Sequence, residues 1–212
     1  MNAPVTETQR KALSDASTTD AARKPDASVS LEDRYALDTG RAFMSGIHAL
    51  VRLPMVQQAR DAQAGLRTAG FISGYRGSPV GTYDQMLWDA KKYLEPRNIV
   101  FQPGVNEELA VDAVWGSQQL EFDPENKKFD GVFGIWYAKG PGVDRSGDAL
   151  KHANLSGTAP RGGVIAVAGD DHLSKSSTLA HQSDHTLMAC GIPVFSPASV
   201  QDVLDLACTP SH

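Results

Sequence analysis

The sequence predicts an α/β fold, a mostly parallel sheet with helices on both faces, preceded by a disordered N-terminal leader. Three observations carry this. Apolar runs of strand length alternate with segments whose apolar residues recur at helical spacing. Runs such as Val164-Ile165-Ala166-Val167-Ala168 are apolar without a break, as a strand covered on both faces requires. Gly, Pro, Asn and Ser gather at the junctions between strands and helices.

Residues 1–30 are rich in Ala, Ser, Thr, Asp and Lys and have almost nothing to bury, so they read as the leader; residues 31–212 read as the domain. A long helix is expected over residues 40–64, with Phe43, Ile47, Leu50, Val51 and Val56 on its apolar face. Pro54 should kink or divide it. A strand at 71–74 leads through a Gly/Ser/Pro turn into a helix over 83–93. The next strand, 98–101, runs into Pro103-Gly104. Asn106 stands where an N-cap belongs, and Glu107 falls at the first helical position. That helix is expected to reach residue 120, burying Leu109, Ala110, Ala113, Val114 and Leu120. After a polar excursion at 123–130, a strand covers 131–138, and Gly140-Pro141-Gly142 opens a helix over 144–155. The strand at 164–168 ends at Asp170 and Asp171. A helix at 179–190, a fifth strand at 192–195 and a helix at 199–208 complete the pattern. Nothing follows that helix except Thr209-Pro210-Ser211-His212, so the domain is expected to be C-terminally incomplete.

The chain is 41% hydrophobic and 21% charged, enough to build a core. A net charge of -5 and the lack of any Lys/Arg run argue against a nucleic-acid surface. No apolar stretch reaches membrane-spanning length and none reads as a signal peptide, which points to a cytoplasmic protein without membrane partners. Two cysteines, Cys190 and Cys208, are too few for a four-cysteine cluster.

The glycine spacing of the 74–81 turn is not that of a dinucleotide fingerprint, and no Lys-Ser/Thr closes the 140–147 loop as a phosphate cradle. A nucleotide-binding protein is therefore the weakest reading. Either loop is equally an ordinary tight turn, although three glycines near one strand end permit close backbone approach to a flat ligand. His181 and His185 are four apart on the expected 179–190 helix, beside Asp184 and after His172. Zinc is conceivable there, but such pairs more commonly cap or pack, and no metal site is expected. Ser174, Ser176 and Ser177 lack a nucleophile-elbow pattern and read as a polar loop at the sheet edge. Glu107 also has a plain reading, since acidic residues in a first helical turn complement the helix dipole.

The segments GYRGSPVGTYD, FQPGVNEELA, AVWGSQQ, WYAKGPGVDRSGDALKHAN and VAGDDHLSKSSTLAHQSDH, followed by IPVFSPAS, occur in this order across residues 31–208. Together they resemble the start of the indolepyruvate ferredoxin oxidoreductase family. The resemblance implies the pyrimidine-binding domain of a thiamine diphosphate enzyme. The reaction it implies is oxidative decarboxylation of an aryl-type 2-oxo acid to an acyl-CoA, with electrons passed to ferredoxin through iron–sulfur clusters. The family's activating glutamate falls at Glu107. A carboxyl group hydrogen-bonded to the aminopyrimidine favours the tautomer that acts as the coenzyme's internal base. Glu108, one position on, would point away by about 100°.

By the same resemblance, Tyr75, Ser78 and Pro79 border the substrate or thiazolium side, and Lys139, Gly140 and Asp171 stand at neighbouring strand ends, completing the cofactor-binding set. Full members also carry a diphosphate- and Mg²⁺-binding domain and the cluster cysteines, and the full-length protein is expected to be a homo-oligomer. This sequence supplies none of those further sites, so it is expected to be inactive alone. A non-catalytic pyrimidine-type domain, kept for binding or assembly, is the alternative.

Overall fold

The computed structural model describes residues 28–77 and 80–208. The expected leader at 1–30 lies almost wholly outside them, as do Ser78 and Pro79. The described residues from Glu32 to Cys208 belong to one compact unit.

Among the described residues four strands, β1 (Thr68–Gly74), β2 (Ile99–Phe101), β3 (Gly131–Ala138) and β4 (Gly163–Ala168), form one sheet in the order β2-β1-β3-β4. Every neighbouring pair is parallel. Ile72 lies opposite Ile135 in the register of β1 against β3. The chain steps from β1 outward to β2, then crosses back over β1 to β3. The β1/β3 boundary is therefore a topological switch point, and the crevice outside the carboxyl ends there is where open α/β sheets bind ligands.

Alternation along the strands divides the core in two. Ile72, Ile135 and Tyr137 face a cluster with Val51, Leu53 and Met55 of α2 (Gly46–Gln63) and with Tyr83 and Leu87 of α3 (Tyr83–Asp89). Trp136 and Ala138 face the opposite cluster. That cluster is built from α5 (Glu107–Gly116), α6 (Gly140–Arg145), α7 (Gly147–Ser156) and α8 (Asp184–Ala189). Three further helices, α1 (Asp33–Ala36), α4 (Lys91–Leu94) and α9 (Val200–Ala207), complete the helical layer. Among the described residues no helix is long and apolar enough to cross a membrane.

Several elements depart from their sequence expectation. The first long helix starts at Gly46, because Ser45 and His48 cap one another reciprocally, and Phe43 lies exposed before it. Pro54 does not divide α2. A proline at 54 cannot donate to the carbonyl of Leu50, four residues back, and the hydroxyl of Tyr83 donates to that carbonyl at 3.3 Å instead. The 83–93 helix breaks at Ala90 into α3 and α4. Helix α5 stops at Gly116, and it buries Ala110, Val111 and Val114, leaving Leu109 and Ala113 exposed. The expected 144–155 helix begins at Gly140 and is interrupted at Ser146.

The largest correction concerns residues 192–195, which form no strand. Pro193 has no N–H to give a ladder. Ile192 and Val194 instead pack against the second core cluster. This leaves β4 at the sheet edge, half-buried rather than enclosed, with Val164 exposed.

Candidate functional site

Glu107 opens α5, with the Asn106 side chain accepting from the Leu109 backbone N–H at 2.9 Å. That cap fixes where the helix begins and so where the glutamate stands. The segment between β2 and α5 is tied to β1, since Gln102 N–H donates to Ile72 O and Gly104 N–H to Gly74 O, both at 3.0 Å. Tyr75 and Gly104 form an isolated parallel bridge. Glu107 is thus held at the carboxyl edge of the sheet beside β1, on the helix that crosses back toward β3.

Its surroundings come from β3 and α6. The indole N–H of Trp136 donates to the Glu107 backbone carbonyl at 2.9 Å, and Trp136 is buried. The side chain lies against Gly142. A Cβ at position 142 would stand 2.6 Å from Glu107 Cγ, 3.0 Å from Glu107 Oε1 and 2.9 Å from Ala138 Cβ. Glu107 is half-buried, and so is Glu108.

The other expected site residues separate into two groups. Tyr75 sits directly after β1 and is 43% exposed, available to a ligand or partner. The N–H groups and hydroxyls around Lys139 and Asp171 are already engaged. Lys139 Nζ donates to Ser176 O at 2.6 Å, Ser176 Oγ at 2.8 Å and Ser177 Oγ at 3.1 Å. Asp171 accepts from Ser176 N at 2.7 Å and Lys175 N at 3.1 Å. The Ser176 N–H, chief among these donors, holds the Asp171 carboxyl below the usual aspartate range. Lys139 and Asp171 therefore meet through Ser176 and organise the loop after β4. Gly140 is buried, and its open face is filled by the imidazole of His181.

His181 is not on a helix, because α8 begins only at Asp184, after Ser183 is fastened to Asp170 by two hydrogen bonds of 2.6 Å. Its Nε2 lies 3.3 Å from Asp144 Oδ2, and its carbonyl bonds His172 Nδ1 at 2.9 Å. Among the described residues no group of three or more His, Cys, Asp or Glu could hold a metal ion. Cys190 and Cys208 are both buried and belong to the two opposite core clusters, so they cannot ligate one iron–sulfur cluster.

Behind the switch point, on the first face, Tyr137 and Asp84 are buried with Tyr137 Oη and Asp84 Oδ1 unpaired among the described residues. Burial, followed by the nearby Asp84 charge, pushes the Tyr137 phenol well above its usual range. The other oxygen of Asp84 accepts from Gly77 N at 3.0 Å, which anchors the loop after β1.

Two open clefts lie away from Glu107. One of about 390 Å³ is bounded by Leu53, Asp61, Phe133 and Ile165. The other, about 610 Å³, is bounded by Asp144, Lys151 and His185. Position relative to the strand ends, rather than concavity, makes the Glu107 region the candidate site: it is where switch-point chemistry and a half-buried carboxylate coincide.

Trp136, Gly142 and His181 have roles that the sequence pattern did not reveal. Gly142 stands in a Gly-Pro-Gly run that reads as a turn, and the side chain seated on it lies 35 positions earlier in the chain. No family model, curated protein or solved structure matches this chain.

Proposed function

We propose that this chain is the pyrimidine-binding domain of a thiamine diphosphate-dependent 2-oxo acid:ferredoxin oxidoreductase of the indolepyruvate type. The observation that carries the reading is Glu107. It is a half-buried carboxylate at the first position of α5, at the carboxyl edge of a β2-β1-β3-β4 parallel sheet, beside its switch point. This suits the pyrimidine end of the coenzyme, where one carboxyl group at a ring nitrogen is the demanding requirement.

The residues present do not suit the remainder. The described residues offer no cluster for a metal ion, and the two cysteines lie in opposite core clusters. Diphosphate, Mg²⁺, iron–sulfur clusters and CoA would therefore belong to other domains of a cytoplasmic assembly that reduces ferredoxin. When bound, thiamine diphosphate supplies the electron sink that decarboxylation of a 2-oxo acid needs. In this chain Glu107 would hold a proton at the pyrimidine nitrogen, and Tyr75 would line the adjoining surface. Lys139 and Asp171 brace the neighbouring loop through Ser176.

The test uses the hydroxymethyl aminopyrimidine fragment of thiamine, added to the chain carrying ¹³C-carboxyl-labelled glutamate. Glu107 is assigned by its loss in Glu107→Gln. A saturable shift of that resonance supports the reading; an unmoved resonance at saturating fragment rejects it. The chain alone should give no 2-oxo acid-dependent viologen reduction.

A non-catalytic docking module is the second reading, and one observation favours it. Val105 and Leu109 flank Glu107 and are 82% and 50% exposed. Apolar exposure there suits a covering partner whether or not chemistry follows. Concentration-dependent self-association, with no response to the fragment, would favour the module.

A further inference from the structure

We propose that Trp136 and Gly142 are positioning residues for Glu107, forming a two-sided seat that fixes its backbone from β3 and its side chain from α6. The inference rests on the reading of Glu107 as the pyrimidine-contacting group and deepens it.

The seat is specific in three ways. First, the indole N–H of buried Trp136 is spent on the carbonyl of Glu107 itself, which ties the two together at 2.9 Å. Second, Gly142 alone leaves room for the glutamate: a methyl group there would overlap both Glu107 Cγ and Ala138 Cβ. Ala138 ends β3 and cannot retreat, so the flexible glutamate would be the part displaced. Third, α6 is itself immobilised. The His181 ring fills the space over Gly140, and His181 Nε2 reaches Asp144 near the other end of the helix. A glycine on a loosely held helix would not define a side-chain position. This helix is gripped at both ends.

A helix N-terminal glutamate would otherwise sample several rotamers in solvent, at an entropic cost on engaging a ligand. The seat removes part of that freedom before any ligand arrives, which is how preorganisation gains affinity.

The experiment is NMR on the full chain with labelled glutamate. Nuclear Overhauser contacts between the Glu107 Cγ protons and the Gly142 Cα protons are expected in the unsubstituted protein, and their absence overturns the proposal without any variant. Gly142→Ala should displace the Glu107 carboxyl resonance and weaken aminopyrimidine-fragment binding roughly tenfold or more, the cost of a misplaced hydrogen bond to a charged group. Trp136→Phe should displace the resonance in the same assay, and it serves where Gly142→Ala fails to fold. Gly147→Ala is the control, since a Cβ there meets nothing within 4 Å, and it should leave both readouts unchanged. A folded Gly142→Ala protein with an unmoved Glu107 resonance overturns the proposal. A fragment that never perturbs Glu107 in the parent, while the Overhauser contacts and variant shifts hold, removes the functional reading and leaves the seat standing.

Discussion

Deleting one oxygen from either of two touching tyrosines should have opposite consequences. Tyr83 and Tyr137 meet edge to face with ring centroids 5.1 Å apart, and both are 0% exposed. Tyr83 Oη donates to Leu50 O, the carbonyl that Pro54 cannot serve, whereas Tyr137 Oη has no partner among the described residues. Tyr83→Phe loses a hydrogen bond worth about 1 kcal/mol net and also leaves a helix carbonyl without its donor, so a loss of about 1.5 kcal/mol is expected. Tyr137→Phe removes a hydroxyl buried without compensation, and stability should hold or rise by about 1 kcal/mol. Urea unfolding followed by circular dichroism measures both, and the slopes should match the parent so that midpoints alone report stability. The Pro54→Ala background adds a further check. That substitution restores a backbone donor to Leu50 O, so Tyr83→Phe should there cost less than half as much. Equal losses for the two tyrosines, or an undiminished Tyr83→Phe effect in the Pro54→Ala background, would refute the account of how α2 tolerates its proline.

Other positions give separate tests. Asp171 has a depressed carboxyl in the folded protein, so its ordering of the 171–176 loop is fully present above the ordinary aspartate value, about 3.9, and is lost as pH falls through the folded value. Measured relative to the intrinsic rate at each pH, the protection of the Lys175 and Ser176 amides from exchange should fall on acidification, and Asp171→Asn should show low protection at every pH. His48 is held neutral by burial first and by the Arg34 charge second, with its Nε2 2.7 Å from Arg34 Nη1. Its contribution is present above the ordinary imidazole value, about 6.5, and is lost as pH falls through the lowered folded value. In a thermal-melt series His48→Gln should flatten the dependence of stability on pH in that window. Gly131→Ala drives a Cβ into the Arg161 backbone and should cost about 3 kcal/mol. Gly116→Ala opens onto empty space within α5 and should gain about 0.5–1 kcal/mol; chemical denaturation of the pair distinguishes them.

The parts of the fold that the sequence made legible are those set by local rules. Apolar runs located β3, β4 and the carboxyl half of β1, and the Asn106 cap placed Glu107 at the first turn of α5. What it missed was settled by contacts distant in the chain. The end of the 171–183 loop depends on Asp170 reaching Ser183, which moved His181 off its expected helix. The apolar residues at 192–195 satisfy strand propensity, but the proline among them and the packing of Ile192 and Val194 on the helical side decide otherwise. Leu109 fits the helical period from Ala113, yet the buried stripe is Ala110, Val111 and Val114, because which side of α5 packs on β1 and β3 is not specified by the period alone. The serines that Lys139 and Asp171 engage occur in a run whose loop conformation the sequence left open.

The proposed function divides labour along the carboxyl edge in a way the two kinds of exposure around Glu107 support. On its inner side Glu107 is held by a buried indole at its backbone carbonyl and by Gly142 against its side chain, on a helix that His181 also touches. Beside it, Tyr75, Val105 and Leu109 present apolar surface to solvent. A complete small-molecule site is enclosed on most sides, and Glu107 bounds neither of the two clefts described above. On the proposed reading the missing wall is the surface that grips the diphosphate, and the apolar rim is its seat. Val105→Asp places a charge on that rim while leaving the fixed neighbours of Glu107 untouched. It should therefore spare the Overhauser contact to Gly142 and the response to the aminopyrimidine fragment, yet abolish stable association with a diphosphate-binding domain in sedimentation experiments. If Val105→Asp leaves that association intact, the apolar rim is not where the second domain docks.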